Sequence, residues 1–134
     1  MKSFANVNPK DLGQVVATLK EARQAGKKVA LVGGGSDLLG MIKEGLAAPD
    51  LLVNLKNLKE FEGISSYSDG VRIGGLTTLD TVIEHSLIRS NYTVLSEGAA
   101  TVATPQIRNV GTLAGNLCQR PWCWYLRQGF PCFK

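Results

Sequence analysis

The sequence predicts an α+β fold in which a small α/β part is followed by the start of a second mixed part. Residues 8–54 alternate helical and strand patterns around a run of glycines, an order typical of a β-α-β unit with a parallel sheet. Residues 64–67 and 71–73 are instead short apolar runs separated by Asp69-Gly70, which is typical of an antiparallel hairpin. The change of pattern places a boundary near residues 54–61.

The first helix is predicted to begin after Asn8, which would act as its N-cap, with Pro9 in the first turn. Gly26 is expected to end it. Between them, apolar residues recur at helical spacing: Leu12, Val15, Val16, Leu19 and Ala22.

A β-α-β unit is predicted from residue 28 onward. Residues 28–32 form an apolar run typical of a strand, and three glycines follow it. Ser36 is the predicted N-cap of a second helix that runs to about Glu44, and residues 51–54 read as the next strand. A helical crossover between the two strands requires them to be parallel.

Two more helices are predicted after the hairpin. Thr77 or Thr78 is expected to cap the first, which His85 closes. The second is predicted over residues 92–103, where small side chains permit close packing. The only histidine of the sequence therefore has a structural explanation, because a partly charged imidazole is favourable at a helix C-terminus.

No side chain is predicted to be catalytic. A single histidine excludes most metal-hydrolase and catalytic-triad schemes, and the acidic residues show no paired spacing that indicates acid–base chemistry. If the chain is part of an enzyme, a cofactor must supply the chemistry.

The composition is typical of a globular domain, with 134 residues, 44% hydrophobic residues and a net charge of +4. No apolar run approaches the ~20 residues that span a bilayer. The N-terminus lacks the apolar core of a signal peptide, so we expect a cytoplasmic location; a periplasmic one stays open if a partner with its own signal exports the chain. The cations are scattered among acids, so we expect no nucleic-acid binding.

Two segments of small residues are the candidate ligand-binding loops. In the first, Gly33 to Gly35 would let backbone amides converge on a phosphate or pyrophosphate, with a plain strand-to-helix turn as the alternative. This loop fits neither the dinucleotide fingerprint nor the P-loop. In the second, residues 104–117, small side chains at 111, 112, 114 and 115 let the backbone approach a flat or anionic group. Two such loops predict one extended ligand held from two sides.

The three cysteines, Cys118, Cys123 and Cys132, all lie near the end of the chain with both tryptophans. Their spacing is not that of a zinc-binding pair, and a disulfide is not expected in the cytosol. Iron–sulfur clusters usually require four thiolates, so spacing alone leaves buried or free thiols as the alternative. The chain stops at Lys134 without a polar tail, and we expect it to be the N-terminal part of a longer protein.

Residues 32–38 (VGGGSDL) and 105–117 (PQIRNVGTLAGNL) together resemble the FAD-binding subunits of the molybdenum hydroxylases. That family includes xanthine dehydrogenase, carbon monoxide dehydrogenase and bacterial aldehyde oxidoreductases. Residues 119–125 (QRPWCWY) are further similar to the branch of aldehyde oxidoreductase and 4-hydroxybenzoyl-CoA reductase, in which an inserted segment holds a [4Fe-4S] cluster.

The resemblance implies a PCMH-type FAD-binding fold. It divides the chain into an N-terminal FAD-binding subdomain at 1–56, the start of a second FAD-binding subdomain at 57–117, and a truncated insertion rich in cysteine and aromatic residues at 118–134.

The resemblance also implies FAD as the cofactor and a set of residues that would hold it. The first loop would wrap the pyrophosphate through its backbone amides, so that Gly34→Val would abolish FAD retention while leaving the fold near native. The second loop would meet the flavin or the phosphates, and Ala103 would line the same cleft. The FAD-binding residues implied in this way are Leu31, Val32, Gly33, Gly34, Gly35, Ser36, Asp37, Leu38, Thr101, Gly111, Thr112, Gly115 and Asn116.

Cys123 and Cys132 match cluster-ligand positions of the iron–sulfur branch, although the ligand set in this chain is incomplete. The implied function is electron transfer from iron–sulfur centres to FAD and then to an external acceptor. The implied partners are a large molybdenum-cofactor subunit and a small [2Fe-2S] subunit.

Two other functions stay open at this point. A stand-alone FAD-dependent oxidase would normally keep a histidine or cysteine for covalent flavin attachment near the first loop, and neither stands there. A truncated, non-catalytic fragment would act only as a subunit-interaction module through its aromatic C-terminal residues.

Overall fold

The computed structural model describes residues 2–131, in which strands form two separate sheets and helices surround them. The strands of the first sheet are β1 (Ala5–Val7), β2 (Val29–Val32) and β3 (Leu51–Asn54), and those of the second are β4 (Ile64–Tyr67) and β5 (Gly70–Ile73). The helices are α1 (Leu12–Gln24), α2 (Leu38–Lys43), α3 (Leu79–Glu84), α4 (Ser86–Asn91), α5 (Thr93–Ala100), α6 (Pro105–Arg108), α7 (Leu113–Cys118) and α8 (Trp124–Arg127).

The first sheet is parallel, with strand order β1-β3-β2, so the predicted β-α-β unit is confirmed. The central strand β3 is buried along Leu51, Leu52 and Val53, as expected of a strand flanked on both sides. Strand β1 was not predicted. It is only three residues long and mostly exposed, so it leaves no apolar run in the sequence.

Asp11, not Asn8, caps helix α1, so the predicted N-cap is wrong. The Asp11 carboxylate accepts a hydrogen bond from the amide of Gln14 at 2.8 Å. Asn8 is engaged elsewhere, because its side-chain oxygen accepts from the amide nitrogen of Asn54 at 2.8 Å and ties the end of β1 to the end of β3. Gly26 has a φ of +64° just beyond the helix, which confirms the predicted stop.

Helix α2 is shorter than predicted, and Ser36 does not cap it. Asp37 occupies the cap position with helical backbone angles and makes no capping hydrogen bond through its side chain. Because residues 33–37 form a turn, the helix begins only at Leu38. Ile42 is buried on the inner face, whereas Leu39 is 42% exposed.

The hairpin and the helix after it agree with the sequence. Strands β4 and β5 pair antiparallel across the predicted turn. Thr78 caps α3 by accepting from the amide of Thr81, and His85 follows as its C-cap. Thr77, the other candidate, is buried; its hydroxyl accepts from the Gly63 amide at 2.9 Å and donates to the Gly63 carbonyl at 3.1 Å.

The helix predicted over residues 92–103 is present as α5, which ends at Ala100, whereas α4 was not predicted.

Two clusters of buried apolar side chains form the core. One joins α1 to the first sheet and centres on Val15, Ala22, Leu51, Val53 and Leu58. The other joins the hairpin to α3, α4 and α5 and centres on Val82, Ile88 and Ala99. Phe61 and Leu76, from the predicted second subdomain, pack on the first cluster. The predicted boundary between the two subdomains at residue 56 stays a prediction.

The Asp50 carboxylate, just before β3, accepts hydrogen bonds from Lys2 and Lys28. The donors are the Lys28 amide at 2.9 Å and the Lys2 ammonium at 3.1 Å, and these bonds hold the pKa of Asp50 below its ordinary value of 3.8. Because the folded pKa is depressed, this stabilisation is complete above about pH 4 and is lost as the pH falls through the folded pKa. We expect Asp50→Asn to lower the urea midpoint at pH 6, with the gap in midpoint to wild type narrowing as the pH falls through the folded pKa of Asp50. The control Glu97→Gln, at an exposed helical position, should show no such gap; a pH-independent gap for Asp50→Asn would contradict the prediction.

Candidate functional site

One cavity of about 740 Å³ lies between the first glycine loop and the segment from residue 102 to 122. The structure places every FAD-binding residue predicted from the sequence along this cavity except Thr101. Thr101 stands at the end of α5, where its hydroxyl donates to the carbonyl of Gly98 at 2.7 Å. Its neighbours Val102 and Ala103 do line the cavity. Two stretches far apart in sequence thus meet at one concave surface.

The two glycine loops touch through their backbones. A Cβ atom built on Gly34 would lie 1.9 Å from the carbonyl oxygen of Val110, and one built on Gly33 would lie 2.8 Å from the Thr112 hydroxyl oxygen. A Cβ atom on Gly111 would lie 2.9 Å from the Ile107 carbonyl oxygen. Gly33 and Gly34 therefore let the two loops pack directly against each other, whereas Gly111 lets the second loop pass close to Ile107 of its own segment.

This contact overturns the expectation for Gly34→Val. The substituent at Gly34 would point at the Val110 carbonyl. Any side chain there must separate the loops, so the fold would not stay near native. Gly34 is required for the packing of protein against protein.

The second loop is held in place by residues 75–79. The amide of Leu113 donates to the Thr77 carbonyl and the amide of Leu79 donates to the Gly111 carbonyl, both at 2.9 Å, around a β-bridge between Thr78 and Thr112. Both hydroxyls at this bridge also cap helices, since Thr112 accepts from the Gly115 amide at the start of α7. The segment that begins α3 therefore fixes the segment that begins α7.

The two loops differ in their free hydrogen-bond donors. In the part of the chain that the structure describes, the backbone amides from Gly33 to Leu38 donate to no protein acceptor. In the second loop, by contrast, the amides of Gly111, Leu113, Ala114 and Gly115 are all satisfied within the protein. The first loop can therefore bind an anion through its backbone, because such donors require an acceptor.

Charge at the cavity is sparse. Asp37 and Arg120 are the charged residues among the described lining residues. The Asp37 carboxylate lies 3.6 Å from the guanidinium of Arg127, whose side chain is only 13% exposed and also pairs with Glu44. The negative charge of Asp37 is thus compensated beside the row of free amides.

The turn at residues 102–103 forms part of the cavity wall. Ala103 has a φ of +46°, which is strained for a residue with a side chain. The Arg108 guanidinium donates to the Val102 carbonyl at 2.9 Å and so stabilises this turn from α6. The arginine within the PQIRN segment thus shapes the wall.

Sequence reasoning missed several lining residues. Leu79 belongs to α3 and reaches the cavity only because the second loop pairs with that helix's start. Cys118, which was not among the predicted cofactor-binding residues, is exposed and lines the cavity. The remaining missed residues lie within the second motif, beside the motifs or on neighbouring elements: Met41, Val102, Ile107, Gln119, Arg120 and Trp122.

The cluster-ligand prediction has no support here. Cys123 is half-buried, and Cys132 lies outside the described residues. Within residues 2–131, no group of three or more histidine, cysteine, aspartate or glutamate side chains is placed to hold a metal ion. In the same range, every helix is too short or too polar to traverse a bilayer.

Known proteins match most of this chain in sequence and in fold. The family described as the FAD binding domain in molybdopterin dehydrogenase matches residues 2–121. The nicotinate dehydrogenase FAD-subunit of Eubacterium barkeri is 36% identical over 117 residues, which make up 87% of this chain and 39% of that protein. The aldehyde oxidoreductase FAD-binding subunit of Escherichia coli is 34% identical over 88% of this chain and 37% of that protein.

Solved structures show the same fold. A chain of carbon monoxide dehydrogenase from Hydrogenophaga pseudoflava superimposes with a TM-score of 0.81 at 32% identity, over 87% of this chain and 39% of that chain. Quinoline 2-oxidoreductase from Pseudomonas putida gives a TM-score of 0.79 at 28% identity, over 87% of this chain and 40% of that one. The chain thus spans about two fifths of the length of the relatives it matches.

The contact between the loops predicts opposite effects for two glycines. Gly34→Ala should destabilise the protein by roughly 3 kcal/mol, because its methyl group would overlap the Val110 carbonyl. Gly40→Ala, within α2 and with open space around its Cβ position, should be neutral or stabilising by up to ~1 kcal/mol. Urea unfolding measures both. Equal midpoints for Gly34→Ala and wild type would show that the loops do not touch as described.

Proposed function

This chain belongs to the family of FAD-binding domains in molybdopterin dehydrogenases, and from that premise we propose that it holds FAD in the cavity between its two glycine loops. In this proposal it is an electron-transfer component of a molybdenum-containing hydroxylase or dehydrogenase. The observation that carries the proposal is the row of free backbone amides from Gly33 to Leu38 at the cavity surface.

The free amides fit the diphosphate of a dinucleotide. Six consecutive N–H groups without a protein acceptor would be costly if they were covered by an apolar ligand, whereas phosphate oxygens would satisfy them. Gly35, with a φ of +81°, supports the turn that presents them. The compensation of Asp37 by Arg127 removes the repulsion that a free carboxylate would exert on an anion nearby.

The rest of the lining is mainly apolar and fits the ring systems of a large ligand. The cavity volume lies within the roughly 300–1,000 Å³ of ordinary small-molecule sites. Leu31, Val32, Met41 and Ile107 provide apolar surface, and Asn116 adds an amide side chain at the second loop. His85 is at the C-cap of α3 and is not among the lining residues.

The lining suggests separate roles for the cofactor and for each of the two loops. When bound, FAD supplies the redox chemistry that side chains lack. The first loop would bind the diphosphate, and the second loop would position the ring systems by shape rather than by backbone donors. We propose that electrons arrive from iron–sulfur centres of a small [2Fe-2S] subunit, and that substrate is oxidised on a large molybdenum-cofactor subunit. The relatives are named as subunits or chains of dehydrogenases, which supports an assembly of several subunits.

A ligand series tests the role of the amides. FAD contains the diphosphate and riboflavin lacks it, so wild-type protein should bind FAD at least about 100-fold more tightly, since charge-assisted hydrogen bonds contribute about 1.5–3 kcal/mol each. Isothermal titration calorimetry measures both affinities, and reversible bleaching of the bound flavin by dithionite checks its redox competence. ADP, which keeps the diphosphate without the flavin, should compete with FAD. Equal affinity for riboflavin and FAD, or no binding of FAD, would refute the proposed site.

A further inference from the structure

One residue of the cavity wall lies beyond the matched family region, which ends at residue 121. Trp122 lines the cavity and is 61% exposed. It is the one aromatic residue among the described lining residues. The free amides account for the phosphates of a dinucleotide, but its rings need a flat apolar surface. Trp122 offers such a surface in the described part of the cavity.

Arg127 holds this tryptophan in position. Its guanidinium lies 3.5 Å from the centroid of the Trp122 ring, which is close stacking for a cation on an aromatic face. The same guanidinium pairs with Asp37 and Glu44 at the two ends of α2, across more than 80 residues of sequence. Arg127 therefore links the segment that contains Trp122 to helix α2, which follows the first glycine loop.

We propose that Trp122 is an additional contact residue for an aromatic ring of the bound flavin dinucleotide, and that Arg127 is the positioning residue that keeps Trp122 in the cavity wall. This inference rests on the proposed function and deepens it. A ring of the ligand that covers the exposed part of the indole would be stabilised in two ways. Apolar area is removed from water, and the two rings stack.

Trp124 is a matched control for Trp122. It lies two positions further along the same segment, is 82% exposed, and is not among the lining residues. Loss of either indole removes the same chemical group from a largely exposed position, so neither change should empty the core. Only the change at Trp122 removes a surface from the cavity.

The first experiment measures FAD affinity of the full chain by calorimetry. Trp122→Ala should weaken FAD binding by roughly tenfold or more, a factor typical of a lost ring-stacking partner, while Trp124→Ala stays within about twofold of wild type. Trp122→Phe should restore most of the affinity because it restores a flat ring. The emission of bound flavin gives a second readout: it should rise in Trp122→Ala, since a stacked indole quenches the flavin, and stay unchanged in Trp124→Ala.

Arg127→Lys tests the positioning role. Lysine keeps the positive charge beside Asp37 but loses the planar group that stacks on the indole. The substitution should therefore weaken FAD binding and raise flavin emission in the wild-type background. In the Trp122→Ala background it should have no further effect. Additive losses in the double variant would overturn the positioning role.

The outcomes separate this inference from the proposed function. If wild-type protein binds FAD and Trp122→Ala binds it equally well with unchanged emission, the contact at Trp122 is refuted and the amide site stands. If wild type fails to bind FAD, both proposals fall together. Thermal melting of each variant by circular dichroism confirms that the variants are folded when affinities are compared.

Discussion

The structure depends on a contact made without side chains, in which the backbone of Gly34 lies against the carbonyl of Val110. This contact brings the end of the first sheet next to the loop that precedes α7. The bridge between Thr78 and Thr112 then joins that loop to the helical cluster behind the hairpin. The cavity is the space above the point where these parts meet. A single added methyl group at Gly34 would overlap the Val110 carbonyl and force the two loops apart.

The two loops look alike in sequence but have different physical roles. Both are rich in small residues, yet the first leaves its amides from Gly33 to Leu38 free, whereas the second uses most of its own in hydrogen bonds to residues 75–79 and within α7. Hydrogen bonds to residues 75–79 fix the position of the second loop. The first loop can therefore leave its own amides unpaired. Because these amides are already oriented, the free-energy cost of reorganising the loop when an anion binds is small.

Sequence reasoning succeeded where the signal was local. The hairpin turn, the cap at Thr78 and the stop at Gly26 each depend on residues close in sequence. It failed where a distant partner decided the outcome: Asn8 bonds to Asn54 instead of capping α1. The glycines were correctly identified as sites of close approach, but whether Gly34 would approach a ligand or the other loop depends on tertiary packing. Trp122 was missed as a lining residue for the same reason.

The charges around the cavity limit how it can attract a dinucleotide. Asp37 and Glu44 share Arg127, and Arg120 is the other charged residue along the described lining, so opposite charges largely cancel there. Long-range attraction of an anion is therefore weak, and binding must rely on short hydrogen bonds from oriented amides and on contact with apolar surface. Hydrogen bonds of this kind are little affected by salt, because screening acts mainly on exposed charges separated by about 10 Å or more. Selectivity then comes from shape: a ligand must place two phosphates along residues 33–38 and a ring beside the wall at the same time.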